Sequence, residues 1–186
     1  MQKKMIVVAG IVSFMSIACS HNNITGRNHL TLVSEADVEN MAKSEYTKFL
    51  STSKVVNSNA NKDAEMVTRV GTRIANAITQ YYKDKGLTNE LEGYKWEFNL
   101  VDSKEVNAWC MPGGKVVVYT GILPVTQNEA ALAVVLGHEI THAVAGHGRE
   151  RMSQGIVQQL GNIALSVALA NKSAETQNIF NAAYGV

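Results

Sequence analysis

His138, Glu139 and His142, in the run His138-Glu139-Ile140-Thr141-His142, are residue types that bind and use a metal ion. On a helix, positions four apart share a face, so both imidazoles can reach a single Zn²⁺. Glu139 then stands beside the open coordination position, where a carboxylate can take a proton from an attacking water. The chemistry this spacing supports is metal-assisted hydrolysis of a peptide bond, and the expected cofactor is one zinc per chain.

That chemistry requires the motif to sit on a helix fixed by the core. Thr126-Gln127-Asn128-Glu129 matches a capping box and predicts a helix start at Thr126. The run from Ala130 to Leu136 is apolar on every side, which predicts a helix buried all round. Polar groups left unpaired on such a helix would each cost on the order of a few kcal/mol, and a shared metal removes that cost. The alternative reading is two core histidines in ordinary hydrogen bonds with a surface glutamate between them.

Other elements follow from pattern. Ser34-Glu35-Ala36-Asp37 opens a helix running to about Leu50, and residues 51–61 read as a loop. A second helix, from about Asp63 to Lys85, places Met66, Val67, Val70, Ile74, Ile78 and Tyr81 on one stripe. Between Tyr94 and Val101, Trp96, Phe98 and Leu100 alternate with polar residues, the period of a strand with one buried face. Asn107 to Met111 is extended, Pro112-Gly113-Gly114 turns the chain, and Lys115 to Tyr119 is another strand. A further segment from about Arg149 to Ala170 is strongly apolar between Ile156 and Ala170 but short, and it carries Gln158, Gln159 and Asn162, which suits a packed or hydrophobic-surface helix better than a membrane span. The predicted fold class is α+β, mainly helical, with a small sheet next to a buried helix that carries the motif.

With 186 residues, 46% of them hydrophobic, and a net charge of +1, the composition is that of one ordinary globular domain. Its 17 basic and 16 acidic residues form no long run of one sign, which argues against a nucleic-acid partner. Lys3 and Lys4 precede the apolar stretch from Met5 to Ala18, too short to span a bilayer comfortably, so it reads as an export signal. Ser16-Ile17-Ala18-Cys19 resembles a bacterial lipobox, which implies a lipid on Cys19 and attachment to a membrane, the outer membrane facing the periplasm being the expected one. A signal cut at a small residue and a plain anchor are the alternatives. Cys110 is then the lone thiol, so stability rests on the core and any metal. The expected division is a signal over 1–19, a polar tether over 20–29 and a peptidase domain over 30–186.

Three stretches together resemble the gluzincin metallopeptidases that include the CAAX prenyl endopeptidases, the heat-shock protease HtpX and the mitochondrial inner-membrane quality-control peptidase. They are TGRNHLTLVSE, NAWCMPGGKVVVYTGIL, and the run from Asn128 to His147 containing LGHEITHAVAGH. The resemblance implies a zincin-like fold, His138 and His142 as zinc ligands, and Glu139 as general base. It also implies that the segment from Asn107 to Val118 forms an edge strand and turn beside the site, with Asn107, Ala108, Trp109, Gly113 and Gly114 meeting extended substrate. An edge strand has free amides and carbonyls that can hold a peptide by its backbone. The implied substrates are unfolded or misassembled envelope proteins. A non-catalytic, chaperone-like lipoprotein that keeps the fold is the second reading, and it has no need of Glu139.

In that family a glutamate on a later helix, in an E-x-x-A-D type stretch, supplies the third ligand. No such stretch follows His142, so this glutamate is expected beyond Val186, and the chain is expected to be an incomplete domain with poor activity by itself. Glu35 lies upstream, where the family has a helix cap. Glu150, eight residues past His142, would lie about 12 Å along a continuous axis. Glu175 could reach the site only by folding back. On a continuous helix His147 would point about 140° away from His142, which makes it a histidine at the surface or one that supports a ligand without binding the metal.

Overall fold

The computed structural model describes residues 19–169. Residues 1–18 of the signal expected over 1–19, together with Glu175 and the chain end, lie outside the described residues.

Chain order begins with two short strands, β1 (Cys19–His21) and β2 (Asn28–Leu30), and helix α1 (Glu35–Thr52). Strand β3 (Val55–Val56) precedes helix α2 (Lys62–Asp84), and a 3₁₀ turn leads to β4 (Glu97–Val101), β5 (Ala108–Met111) and β6 (Lys115–Tyr119). A second 3₁₀ turn leads into α3 (Leu123–Thr126), α4 (Glu129–Val144) and α5 (His147–Leu169). The architecture is mixed helix and sheet, as the sequence predicts. No described helix is long and apolar enough to cross a membrane.

The larger sheet has the order β3-β4-β6-β5, with β4 and β6 parallel and both outer pairs antiparallel. Its alternating faces bury two sets of side chains. Leu100, Ala108, Val116 and Val118 pack against Val67 and Val70 of α2 and against Leu132, Leu136 and Ile140 of α4. Val101 and Val117 face the other way, toward Tyr46 of α1. Each large aliphatic side chain so buried stabilises by about 1.5–3 kcal/mol, more than an exposed ion pair such as Lys54–Asp102 contributes. The motif helix is therefore fixed by three apolar anchors one turn apart. Helix α2 approaches β4 closely at Gly71, where a Cβ would clash with the Phe98 ring.

Several details depart from the sequence-based expectations. Helix α4 starts at Glu129 rather than Thr126: the Asn128 side chain accepts the Ala131 amide, while the Thr126 hydroxyl donates to Leu123. Glu129 pairs with Arg69 instead of closing a capping box. Nor is α4 buried all round, since Val134 is 74% exposed and His138 and Thr141 share its open side. Among the described residues no element covers that face. In α2 the buried tyrosine is Tyr82 rather than Tyr81. The predicted loop over 51–61 contains β3, which pairs with β4 through Val55 opposite Val101 and Val56 opposite Leu100. Two residues are too short a run to show a strand period in sequence.

The expected tether is also folded. Residues 19–21 pair with 28–30 as an antiparallel hairpin, and Asn22, only 8% exposed, closes it with its side-chain oxygen accepting the amides of Ile24 and Thr25. Polar, small residues suit a tether, but Asn and Gly suit a tight turn equally well.

Candidate metal centre

His138, Glu139 and His142 all lie on α4, on the turns whose core-facing positions are the buried Leu136, Ile140 and Ala143. Their side of the helix is open: His138 is exposed and the other two are half-buried. The two imidazoles meet edge to face, ring centroids 4.4 Å apart, with His138 Nε2 and His142 Nε2 separated by 3.0 Å. Two nitrogens bound to one tetrahedral zinc lie about 3.3 Å apart, so this pair fits the ion with a shift of a few tenths of an ångström. Neutral imidazoles are also the right donors. Among the described residues no group of three His, Cys, Asp or Glu side chains converges to hold a metal.

Strand β5 runs beside α4. Ala108 and Cys110 point toward the α4 side of the sheet, while Trp109 and Met111 point toward α1. Burial first, and the Glu139 charge second, push the Cys110 thiol up to about 12, which marks Glu139 as a neighbour of the strand. The Tyr119 amide donates to the Asn107 carbonyl at 3.1 Å. Ladder alternation then makes Trp109–Val117 and Met111–Lys115 the bonded pairs, leaving the amides and carbonyls of Ala108 and Cys110 directed at the outer edge. Among the described residues no strand pairs with that edge.

The remaining residues expected to meet substrate are placed as follows. Asn107 is exposed at the start of the edge. The Trp109 ring packs on Phe49 at 5.1 Å and its indole donates to Tyr119, so only its backbone is disposed along the strand. Gly113 and Gly114 are buried in the turn, and their carbonyls accept the amides of Lys95 and Glu97. Both glycines therefore tie the turn to β4.

The C-terminal end of α4 is held by groups that pattern reading missed. The Tyr94 hydroxyl donates to the Ala143 carbonyl at 3.2 Å, and the Asn22 side-chain amide donates to the Ala145 carbonyl at 3.2 Å. The Ala143 carbonyl also accepts the Gly146 amide at 3.1 Å, whereas the Asn22 bond occupies a carbonyl of the kind a helix end leaves without an intrahelical partner. Gly146, at φ +71°, stops the helix, and α5 begins at the next residue. This break repositions His147. It does not point away from His142, as a continuous helix requires, but lies against it with ring centroids 4.8 Å apart and the two Nδ1 atoms 2.5 Å apart. Burial, then His142 and Arg27, hold the His147 imidazole below its usual pKa. Glu150, expected to be too far along the axis to share the metal, is engaged with Arg27 at 2.6 Å. Arg27, His142, His147, Glu150, Arg151 and Gln154 line a cleft of about 360 Å³.

Two imidazoles converging on an open helix face, with a glutamate between them and a free sheet edge alongside, define the H-E-x-x-H metallopeptidase class. The sequence pattern of Peptidase family M48 matches residues 63–185, and the chain belongs to that family. It is 41% identical over 87 residues to the mitochondrial metalloendopeptidase OMA1 of Arabidopsis thaliana, covering 47% of this chain and 17% of that one. It is 30% identical over 114 residues to the metalloprotease YcaL of Escherichia coli, covering 58% and 44%. With the metalloprotease LoiP of the same organism it shares 33% identity over 104 residues, covering 53% and 39%. The matched region is thus less than half the length of each of these relatives.

Proposed function

We propose that this chain carries the catalytic centre of a zinc-dependent endopeptidase of zincin-like fold. The observation that carries the reading is the convergence of His138 Nε2 and His142 Nε2, 3.0 Å apart, on the open side of α4 beside the outer edge of β5. His138 and His142 would hold the zinc, and family resemblance implies a glutamate as the third ligand. When bound, zinc supplies a Lewis acid that activates water and polarises the scissile carbonyl. Glu139 takes a proton from the water as its oxygen bonds to the carbonyl carbon, then passes a proton to the departing amine as the C–N bond breaks. Extended substrate is held by the outward amides and carbonyls of Ala108 and Cys110, which demand little of its sequence. That tolerance suits unfolded or misassembled proteins as substrates.

Removing metal tests this reading. Dialysis of the full-length protein against a strong chelator should abolish cleavage of an unfolded protein substrate, and stoichiometric Zn²⁺ should restore it. Cleavage that survives complete metal removal contradicts the proposal.

The same reading puts the protein in the bacterial envelope, held by lipid on Cys19. It is supported by Lys3 and Lys4, the apolar run to Ala18 and the small residues before Cys19. Because β1 begins at Cys19 itself, such an anchor would hold the folded body at the lipid surface with little slack. Incorporation of a fatty-acid analogue should be lost in Cys19→Ser. Wild-type protein without label, or equal label in the variant, removes the anchor.

A further inference from the structure

We infer that His147 is a positioning residue for the metal centre: it accepts a hydrogen bond from His142 Nδ1–H and so holds His142 in the tautomer whose Nε2 lone pair faces the zinc. The inference rests on the reading of His138 and His142 as zinc ligands and adds a role for a third histidine that touches only one of them.

The two contacts of His142 lie on opposite ring nitrogens. Nε2 faces His138 Nε2 at 3.0 Å and Nδ1 faces His147 Nδ1 at 2.5 Å. A neutral imidazole carries one proton, so a nitrogen that binds a metal leaves the proton on the other. With Nε2 turned toward the metal position, the proton is on Nδ1, and its partner must be an acceptor. His147 supplies one when its own proton is on Nε2. A ligating histidine is normally fixed in this way by a hydrogen bond from its second nitrogen, and loss of that partner typically weakens metal binding about 10–100-fold.

The backbone is shaped to make this contact. Five positions apart on an unbroken helix are about 140° apart around the axis, and the two rings would not meet. They meet because the chain leaves α4 through Gly146 at φ +71°, a conformation that disfavours any residue with a Cβ, and enters α5 at His147. The break is braced from outside α4: Asn22 bonds the Ala145 carbonyl, and the Leu32 amide donates to Ser153, a buried residue of α5. Two helices and the N-terminal segment are thereby fixed around one histidine pair. His147 does not join the ligand set, because its near nitrogen lies on the far side of the His142 ring from His138.

The test compares side chains that keep or lose the acceptor in the full-length protein. Asn places its side-chain oxygen near the position of Nδ1, Leu fills similar space without accepting, and Ala does neither. Zinc dissociation constants are measured by competition with a chromophoric chelator, with thermal melting of the zinc-free proteins as a control on folding. His147→Ala and His147→Leu should bind zinc about 10–100-fold more weakly than wild type, while His147→Asn should recover to within about threefold. Leu rescuing as well as Asn would reduce His147 to packing, and wild-type affinity in all three would remove it from the centre. Should Ala fail to fold, the comparison of Asn with Leu decides alone. Failure of the parent reading looks different: wild-type protein itself would bind no zinc, or would bind it independently of His142, and both claims would fall.

Discussion

Replacing Glu139 with Gln is expected to lower peptide hydrolysis about 10²–10⁴-fold, a loss of about 3–5 kcal/mol of transition-state stabilisation, while zinc content and fold stay unchanged. Glu139 lies between the two candidate ligands in sequence but takes no part in their contact, and among the described residues no side-chain hydrogen bond ties it to the scaffold. Gln keeps its size and polarity and removes only the ability to hold a proton. Initial rates on an unfolded substrate, with elemental analysis of the same samples, decide the matter. A variant that still hydrolyses at the wild-type rate takes Glu139 out of the mechanism.

The second large effect is expected at His142. A four-ligand protein zinc site binds with about 10–16 kcal/mol, so one ligand accounts for about 3–4 kcal/mol, and His142→Ala should weaken zinc binding by about 10²–10³-fold or more. The change leaves the core anchors Leu132, Leu136 and Ile140 in place, so the zinc-free protein should melt close to wild type. Chelator competition measures the affinity and calorimetry the stability. Affinity lowered by less than about tenfold would mean that His142 is not a ligand.

Much of this architecture is legible in sequence because it obeys short periods. The stripe of α2, the alternation around Phe98 and Leu100, and the Gly-Gly turn each report a local rule, and the described helices and strands follow them closely. The i, i+4 spacing of His138 and His142 likewise needed only a helix to bring the two rings together. What escaped was tertiary. Asn22 reads as a polar residue in a tether, yet it stands 123 residues from the Ala145 carbonyl it caps, and no local pattern reports such a bond. Tyr94 reads as the start of a strand, yet its hydroxyl secures the same helix end.

His147 shows how one backbone angle overrides a periodic argument. Helical geometry sends it away from His142, and the geometry fails because the helix ends between them. Gly146 was the available signal: a glycine just past a helical run is a common stop, and a chain restarting after it obeys a new phase. The capping box failed for a related reason. Thr126 and Asn128 both satisfy a cap preference, and the choice went to Asn128 because α3 already engages Thr126.

The most direct measurement of the central claim is zinc content and hydrolysis determined on the same preparations of full-length wild-type protein and the double variant His138→Ala/His142→Ala. The account predicts one zinc per chain and cleavage of an unfolded substrate in the wild type, and neither in a double variant that remains folded. Zinc and cleavage persisting together in the double variant would contradict it.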